Sequence, residues 1–412
     1  MKKKSKTITR CQISGAADLK TIISLGFLPP VNKMQKIGEK KMETTFFPIE
    51  LMYSKSSRLV QLSNLVDKTI LFPKEYPYTS STTKILRENF KELYEECTNL
   101  VNLKSNDLII DIGSNDGNLL NNFKKKHRVL GVTPENIGKI AIKKGIRTLI
   151  QYFNKNTSNY IFKKFGRAKI ITATNVFAHI ENVKDLMENI LKILKTDGVF
   201  ITESHYLVSL IKELQYDTIY HEHLRYYSLL SLKYLFEKYG LTIFHAKKIP
   251  THGGSIRVYA GRKGRFKTLK SVKKIIKEEK NFLNWKSFNK FRNDVIKSKL
   301  DLYKILSKIV KRKYKIYGIG APSRASTLVN FLGLTQEIIN CVCEVDGSYK
   351  IGNYMPGTNI PIISEKNLYQ DKPEYAMILS WHISKELILN LKRKGFKGKF
   401  IIPLPKPRII KG

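Results

Sequence analysis

Apolar and polar positions in the middle of the chain alternate between two periods. Short apolar runs at 107–112, 128–132, 168–173 and 198–203 each end at a polar residue or a turn, and stretches with apolar positions three and four apart lie between them, at 135–144 and 183–194. Runs of that length bounded by turn residues predict strands, and the longer 3.6-period stretches predict helices. The first helical stretch closes on Gly145, a residue suited to a helix end. Strands alternating with helices predict a parallel sheet covered on both faces. A second unit of this kind starts at 315, where an apolar run enters the turn Gly318-Ile319-Gly320-Ala321-Pro322-Ser323-Arg324 and then a helical pattern at 325–331. A helix-like stretch at 83–100 precedes the first strand. The pattern divides the chain into an N-terminal part at 1–82, a central α/β domain at 83–250 and a C-terminal α/β domain at 251–412 with a Rossmann-like half. The proline-rich tail at 403–407 is expected to be extended.

Composition narrows the class. A chain of 412 residues, 42% of them hydrophobic, exceeds what one core accommodates, in keeping with two or three domains. No apolar run approaches 18 residues, so no membrane-spanning helix is expected. The basic opening Met1-Lys2-Lys3-Lys4-Ser5-Lys6 has no apolar core behind it, which argues against a secretion signal. The scattered cysteines Cys11, Cys97, Cys341 and Cys343 resemble reduced cytoplasmic thiols rather than a disulfide framework. The formal charge of +40 raises the question of nucleic acid. Its densest stretch, 267–315, carries Phe282, Trp285, Phe288, Phe291 and Tyr303 at spacings of three and four, the pattern of helices with a buried aromatic face and a solvated lysine face. Lysine is abundant along the whole chain and no recognition motif accompanies it, so a nucleic-acid partner is not expected. A basic surface still attracts small anionic ligands.

The chemistry begins at Asp111-Ile112-Gly113-Ser114-Asn115-Asp116-Gly117. An apolar run ends in an acidic residue and a Gly-x-x-x-Gly turn that opens a helix. The spacing matches neither the dinucleotide nor the P-loop fingerprint. An acidic strand end with this turn suits a ligand carrying an amino acid moiety, and S-adenosylmethionine is the candidate. Its contacts would come from Asp111, Gly113, Ser114, Asn115 and Gly117, then from Thr133, Pro134 and Asn175 at the ends of the following strands, where ligands of such sheets sit.

A second cluster, Tyr220-His221-Glu222-His223, is followed by Thr251-His252-Gly253-Gly254-Ser255-Ile256-Arg257. The bland reading is an exposed polar helix start. The functional reading is a proton-abstraction site: histidine exchanges protons near neutral pH, and a neighbouring tyrosine or glutamate fixes its tautomer or donates a hydrogen bond.

These segments resemble the sugar C-methyltransferases that act on nucleotide-linked 4-keto-deoxy sugars. The matching pieces are Tyr76-Pro77-Tyr78-Thr79-Ser80-Ser81, the loop at 111–120, Asn175-Val176-Phe177-Ala178-His179, Tyr220–His223, 251–257, and Tyr354-Met355-Pro356-Gly357-Thr358-Asn359-Ile360-Pro361-Ile362, in family order over nearly the whole length. The resemblance implies a small N-terminal domain with a zinc site, a central Rossmann-like S-adenosylmethionine-binding domain and a C-terminal domain that helps hold the nucleotide sugar, with thymidine diphosphate as the suggested carrier. In that scheme His223 takes the proton beside the keto group. Tyr220, Tyr76 or Tyr78, and His179 steady the enolate, while Glu222 orients the base or meets a sugar hydroxyl. His221, His252, Gly254, Ser255 and Arg257 would contact the substrate, and Arg324 either contacts a phosphate or belongs to a plain turn. Competing readings are an oxygen- or nitrogen-methyltransferase and a binding subunit that has lost catalysis.

Two departures stand out. The family's zinc site uses two Cys-x-x-Cys pairs, but here they read Cys11-Gln12-Ile13-Ser14 and Ser54-Lys55-Ser56-Ser57. One thiol of four remains, and hydroxyls are poor zinc ligands, so no zinc is expected and the N-terminal domain should rely on packing alone. The family's acidic residue after the second strand is Thr133, in Gly131-Val132-Thr133-Pro134-Glu135. Loss of one charge-assisted hydrogen bond to the cofactor ribose would cost roughly 1.5–3 kcal/mol, unless Glu135 reaches in.

Overall fold

The computed structural model describes residues 4–40, 43–72 and 84–411. Its centre is a seven-stranded sheet in the order Leu241–Ile249, Ser255–Arg262, Leu194–His205, Ala168–Thr174, Leu108–Ile112, Arg128–Thr133 and Thr148–Ile150. The pairings are parallel except at Ser255–Arg262, which runs antiparallel to both its neighbours. Every residue of Leu108–Ile112 and Ala168–Thr174 is buried, as strands sandwiched between helices require. The helix Val183–Ile193 covers one face with Val183, Leu186, Met187, Ile190 and Ile193, and Asn182 caps its start by accepting from the Asp185 amide. The strand at 255–262, beyond the boundary expected at 250, pairs into this sheet. The Gly253-Gly254 turn that seemed to open the third part is a hairpin connection within the central sheet.

The N-terminal part is built on a four-stranded sheet, Leu19–Leu28, Phe47–Ser54, Val60–Leu62 and Arg225–Tyr226. Its last strand comes from the middle of the chain, immediately after the His221–His223 cluster. The four positions of the two knuckles converge. The Cys11 thiol lies 3.0 Å from the Ser57 hydroxyl, Ser57 donates to Ser54 at 3.1 Å, and Ser54 donates to the Asp18 carboxylate at 2.7 Å. Ser56 lies 3.1 Å from Ser14 and 3.0 Å from Ser54. Packing alone therefore does not hold this corner; a connected set of hydroxyls does so too.

The C-terminal part is a six-stranded sheet in the order Ile362–Ser364, Cys341–Glu344, Ile316–Ile319, Tyr375–Ile378, Lys399–Ile402 and Arg408–Ile410, parallel except for its last strand. Two helices, Lys270–Phe282 and Trp285–Val310, link it to the central sheet. Phe288, Phe291, Val295, Leu302, Leu306 and Ile309 form the buried face of the second, and Lys290–Asp294 and Lys297–Asp301 pair on its outer face. The aromatic residues of the basic stretch thus serve packing. Among the described residues no helix is long and apolar enough to cross a membrane.

Candidate active site

The cofactor end forms where Leu108–Ile112 stops. The Asp111 carboxyl accepts from the Thr172 hydroxyl at 2.6 Å, and burial raises its pKa to about 7. Gly113 and Gly117 sit at φ +78° and +77°, in the left-handed region that favours glycine. A Cβ on Gly113 would meet Val176 at 2.9 Å, and one on Gly117 would meet Ile146 at 2.7 Å. Both glycines are needed for the turn and for close packing of the protein on itself, rather than chiefly to let a ligand approach. Ser114 lies over Gly131, and its hydroxyl is buried without a hydrogen-bond partner among the described residues. A buried polar atom in that state asks for a ligand. Asn115 (φ 50°) and Asn175 (φ 56°) hold left-handed backbone at the tips of the first and fourth strands in chain order. Thr133 is buried and donates its hydroxyl to Glu135 at 2.5 Å. Strand ends, left-handed loops and an unpaired hydroxyl on one edge fit an S-adenosylmethionine site.

Next to that edge five of the eight histidines gather: His179, His205, His223, His252 and His382. His223 Nδ1 lies 2.9 Å from the Thr218 carbonyl oxygen. A carbonyl only accepts, so Nδ1 carries the proton and Nε2 keeps the lone pair. The Tyr220 ring packs on the imidazole at 4.1 Å, and the His179 ring stands edge-on at 5.0 Å. Burial drives the His223 pKa well below its ordinary value, with His179, His205 and His252 adding to the effect. Burial likewise lowers His179 and His252 to about 4, and His205 and His382 to about 3. The cluster is therefore neutral at pH 7. His252 holds a left-handed backbone (φ 55°), set by the Gly253-Gly254 turn after it. A Cβ on Gly253 would strike the Gln215 side chain at 2.7 Å, and one on Gly254 would strike Ser209 at 2.6 Å.

All three parts of the chain hold the segment that bears His223. Asn32 of the N-terminal part donates to Glu222 at 2.6 Å, and Ser323 of the C-terminal part donates to Asn32 at 3.0 Å. Arg225 donates to Gln12, to the Ile180 carbonyl and to the Tyr227 hydroxyl. Asp217, fully buried, accepts from Arg324 Nε and Nη2 at 2.7 and 2.8 Å and from Trp381 Nε1 at 2.7 Å.

The structure brings together His223, Tyr220, Glu222, His179 and His252 but commits other expected contacts elsewhere. His221 bonds the Phe47 carbonyl at 3.2 Å and packs edge-on to the Phe47 ring, on the side facing the N-terminal sheet. Arg257 is buried against Glu203, Glu96 and Asn89 with bonds of 2.5–3.1 Å, which occupies its guanidinium. The Ser255 hydroxyl donates to the Thr251 carbonyl at 3.0 Å, and Gly254 shapes the turn. Arg324 spends Nε and Nη2 on Asp217. Tyr76 and Tyr78 lie outside the described residues. Sequence reasoning passed over His205, Asp217, Trp381, His382 and Lys350. Lys350, whose Nζ donates to the Ala321 carbonyl at 2.5 Å, stands beside the Gly320–Ser323 turn, and burial lowers its pKa. Isolated polar residues far apart in sequence gave no local signal. At the knuckle, one thiol and three hydroxyls do not fit a structural zinc ion, which takes four thiolate or imidazole ligands.

Comparison with known proteins bears on the same three parts. Residues 11–72 match a putative zinc binding domain, 84–246 a methyltransferase domain, and 250–405 a C-methyltransferase C-terminal domain. The chain is 29% identical over 411 residues to the C-methyltransferase NovU of Streptomyces niveus, covering 98% of this chain and 97% of that protein. Among solved structures it is similar to an S-adenosylmethionine-dependent methyltransferase from Clostridium acetobutylicum (18% identity, 45% of this chain, 94% of that chain, TM-score 0.33). Another from Anabaena variabilis matches at 16% identity over 44% of this chain and 86% of that chain, with TM-score 0.35. The three domain matches in order and the full-length relative, on a chain whose central sheet ends in the loop and histidine cluster described above, make it similar to C-methyltransferases along its whole length and show that it is an S-adenosylmethionine-dependent methyltransferase.

Proposed function

We propose that the enzyme methylates the carbon beside the keto group of a nucleotide-linked 4-keto-deoxy sugar, by way of an enolate. The observation that carries this reading is His223: a buried, neutral imidazole whose Nδ1 is tied to the Thr218 carbonyl and whose Nε2 has its lone pair free to accept a proton. Oxygen or nitrogen acceptors also use a base, but a carbon acceptor needs one held away from water with hydrogen-bond donors close by. His223 Nε2 takes the proton from the carbon beside the carbonyl, and Tyr220, with Tyr76 or Tyr78, donates to the oxygen on which charge develops. Glu222, held by Asn32, faces the sugar hydroxyls. S-adenosylmethionine, bound along the Asp111–Gly117 loop, supplies the methyl group and leaves as S-adenosylhomocysteine. For the nucleotide we favour thymidine diphosphate, seated by the Gly320–Ser323 turn, with Lys350 in the part first given to Arg324. The product would enter a surface glycan or a secondary metabolite. We further propose that the N-terminal domain works without zinc and that the enzyme acts in the cytoplasm. The four buried, unpaired thiols support a reducing compartment.

The test is exchange of the carbon-bound proton with solvent deuterium, followed by mass spectrometry on a thymidine-diphosphate-linked 4-keto-deoxy sugar. A placed base contributes about 10²–10⁴ in rate, so His223→Gln should reduce exchange by that factor while His221→Gln leaves it within a few-fold. Exchange undiminished in His223→Gln would remove His223 from this role. Methyl transfer by the unaltered enzyme with no exchange would favour an oxygen or nitrogen acceptor.

A further inference from the structure

The second parallel strand of the central sheet, Arg128–Thr133, ends without an acid, yet a carboxylate is present at that edge. The Thr133 hydroxyl donates to Glu135 Oε2 at 2.5 Å. Thr133 is itself fixed, being buried, with its methyl facing the Cα of Gly138, where an added Cβ would come within 2.8 Å. The rigid threonine therefore sets the direction of the glutamate. Tyr152, two residues beyond the next strand, lies near enough to feel the charge of Glu135, and Lys68 lies 4.6 Å over its ring; Glu135 itself is half-buried. In doubly wound sheets an acid about twenty residues beyond the glycine turn, after the second strand, accepts hydrogen bonds from a ribose. Glu135 stands at that distance from Gly113.

We infer that Glu135 is the ribose-binding carboxylate of this enzyme, displaced two residues along the chain, and that Thr133 is its positioning residue. A carboxylate has about four acceptor directions, so one bond from Thr133 leaves room for both ribose hydroxyls. Threonine at the strand end is then no weakening of the site. Its hydroxyl is spent as a donor on Glu135, and the charge that the strand end lacks is delivered from the loop. The inference rests on S-adenosylmethionine being the ligand of this edge.

Calorimetric binding of S-adenosylhomocysteine and of its 2′-deoxyribose analogue tests it without any sugar substrate. The unaltered enzyme should bind the ribose form more tightly than the deoxy form. Glu135→Gln should lose about ten- to a hundredfold in affinity for the ribose form and most of its preference over the deoxy form. Thr133→Val should lose less, because Glu135 keeps its charge but not its direction. The double variant Thr133→Asp with Glu135→Gln should regain affinity and preference, since the carboxylate returns to the strand end. Glu135→Gln binding both ligands as the unaltered enzyme does, with an unchanged unfolding temperature, would overturn the inference and leave the cofactor reading intact. Failure of the unaltered enzyme to bind S-adenosylhomocysteine would overturn both.

Discussion

Replacing Arg324 with methionine removes the only cation that, among the described residues, pairs with Asp217, a fully buried carboxylate that also accepts from Trp381. A buried ion pair broken on one side costs about 3–5 kcal/mol, because the remaining charge is left without compensation in a poorly polarisable interior. That is a large part of the roughly 5–15 kcal/mol that holds a typical domain together, so Arg324→Met should lower the unfolding temperature by several degrees. The damage should concentrate at the junction of the central and C-terminal parts. Hydrogen exchange of the amides at 214–224 should speed up more than that of the central strands. Activity should fall further than stability, since Thr218, next to Asp217, provides the carbonyl that fixes the tautomer of His223. Changing Asp217→Asn in the same chain removes the stranded charge, while the amide oxygen can still accept from Trp381. The double variant should therefore be more stable than Arg324→Met alone, giving an interaction energy of order 1–3 kcal/mol in a double-mutant cycle. If the two substitutions simply add, Asp217 and Arg324 are not coupled as described and the joint is held by packing.

Two further outcomes follow from the buried groups. Seven histidines, His179, His205, His221, His223, His245, His252 and His382, have folded-state pKa values pushed by burial below the ordinary 6.5, five of them to about 4 or lower. A depressed histidine pKa means that the unfolded chain binds the extra protons, so stability is lost as pH falls from 6.5 toward 4, by up to about 1.4 kcal/mol per pH unit for each group. Asp111, raised to about 7, and the buried carboxyls of Glu203 and Glu279, also raised by burial, act the other way, but they are three groups against seven. Thermal unfolding should thus show a steep drop below pH 6, and a flat profile from pH 7 to pH 5 would contradict the burial of these rings. At the knuckle, the purified enzyme should carry no stoichiometric zinc and melt at the same temperature with or without a chelator. The triple variant Ser14→Cys, Ser54→Cys, Ser57→Cys should take up one zinc per chain, and one zinc in the unaltered protein by elemental analysis would refute the reading.

Much of the frame was legible because it is written in local periods. The strands at 108–112, 128–133 and 168–174 and the helix at 183–193 follow directly from runs and stripes in the sequence, and Gly145 does end its helix in a left-handed conformation. The seventh strand was not legible as part of this sheet, because a glycine pair signals a turn without saying whether the turn joins two domains or two strands of one sheet. The site residues divide along the same line. Tyr220, Glu222 and His223 stand side by side in the sequence, and their chemistry shows there. Arg257 and Arg324 also carried a legible charge, but charge does not reveal its partner. Glu203, Glu96 and Asp217, up to 161 residues away, had already claimed those guanidinium groups in the folded chain. A buried arginine needs an acid before it can meet a ligand, and only tertiary structure shows which acid it has.

The same bonds tie one short segment to all three parts of the chain. The stretch from Asp217 to Arg225 carries the Thr218 carbonyl, Tyr220, Glu222 and His223, and only short turns stiffen it from within. Its precision must therefore come from outside. Asp217 is clamped by Arg324 and Trp381 at one end; Arg225 is clamped by Gln12 and the Ile180 carbonyl at the other; and Glu222 is held between them through Asn32 and Ser323. Gln12 is the residue after Cys11, and its backbone amide donates to Gln61 Oε1 at 2.8 Å, so the hydroxyl knuckle is mechanically one step from the strand that follows His223. The knuckle's place in this chain of bonds is geometric, whatever it binds. Hydrogen-bonded serines anchored on Asp18 hold its two turns together, one step from the Gln12 that keeps Arg225 in place.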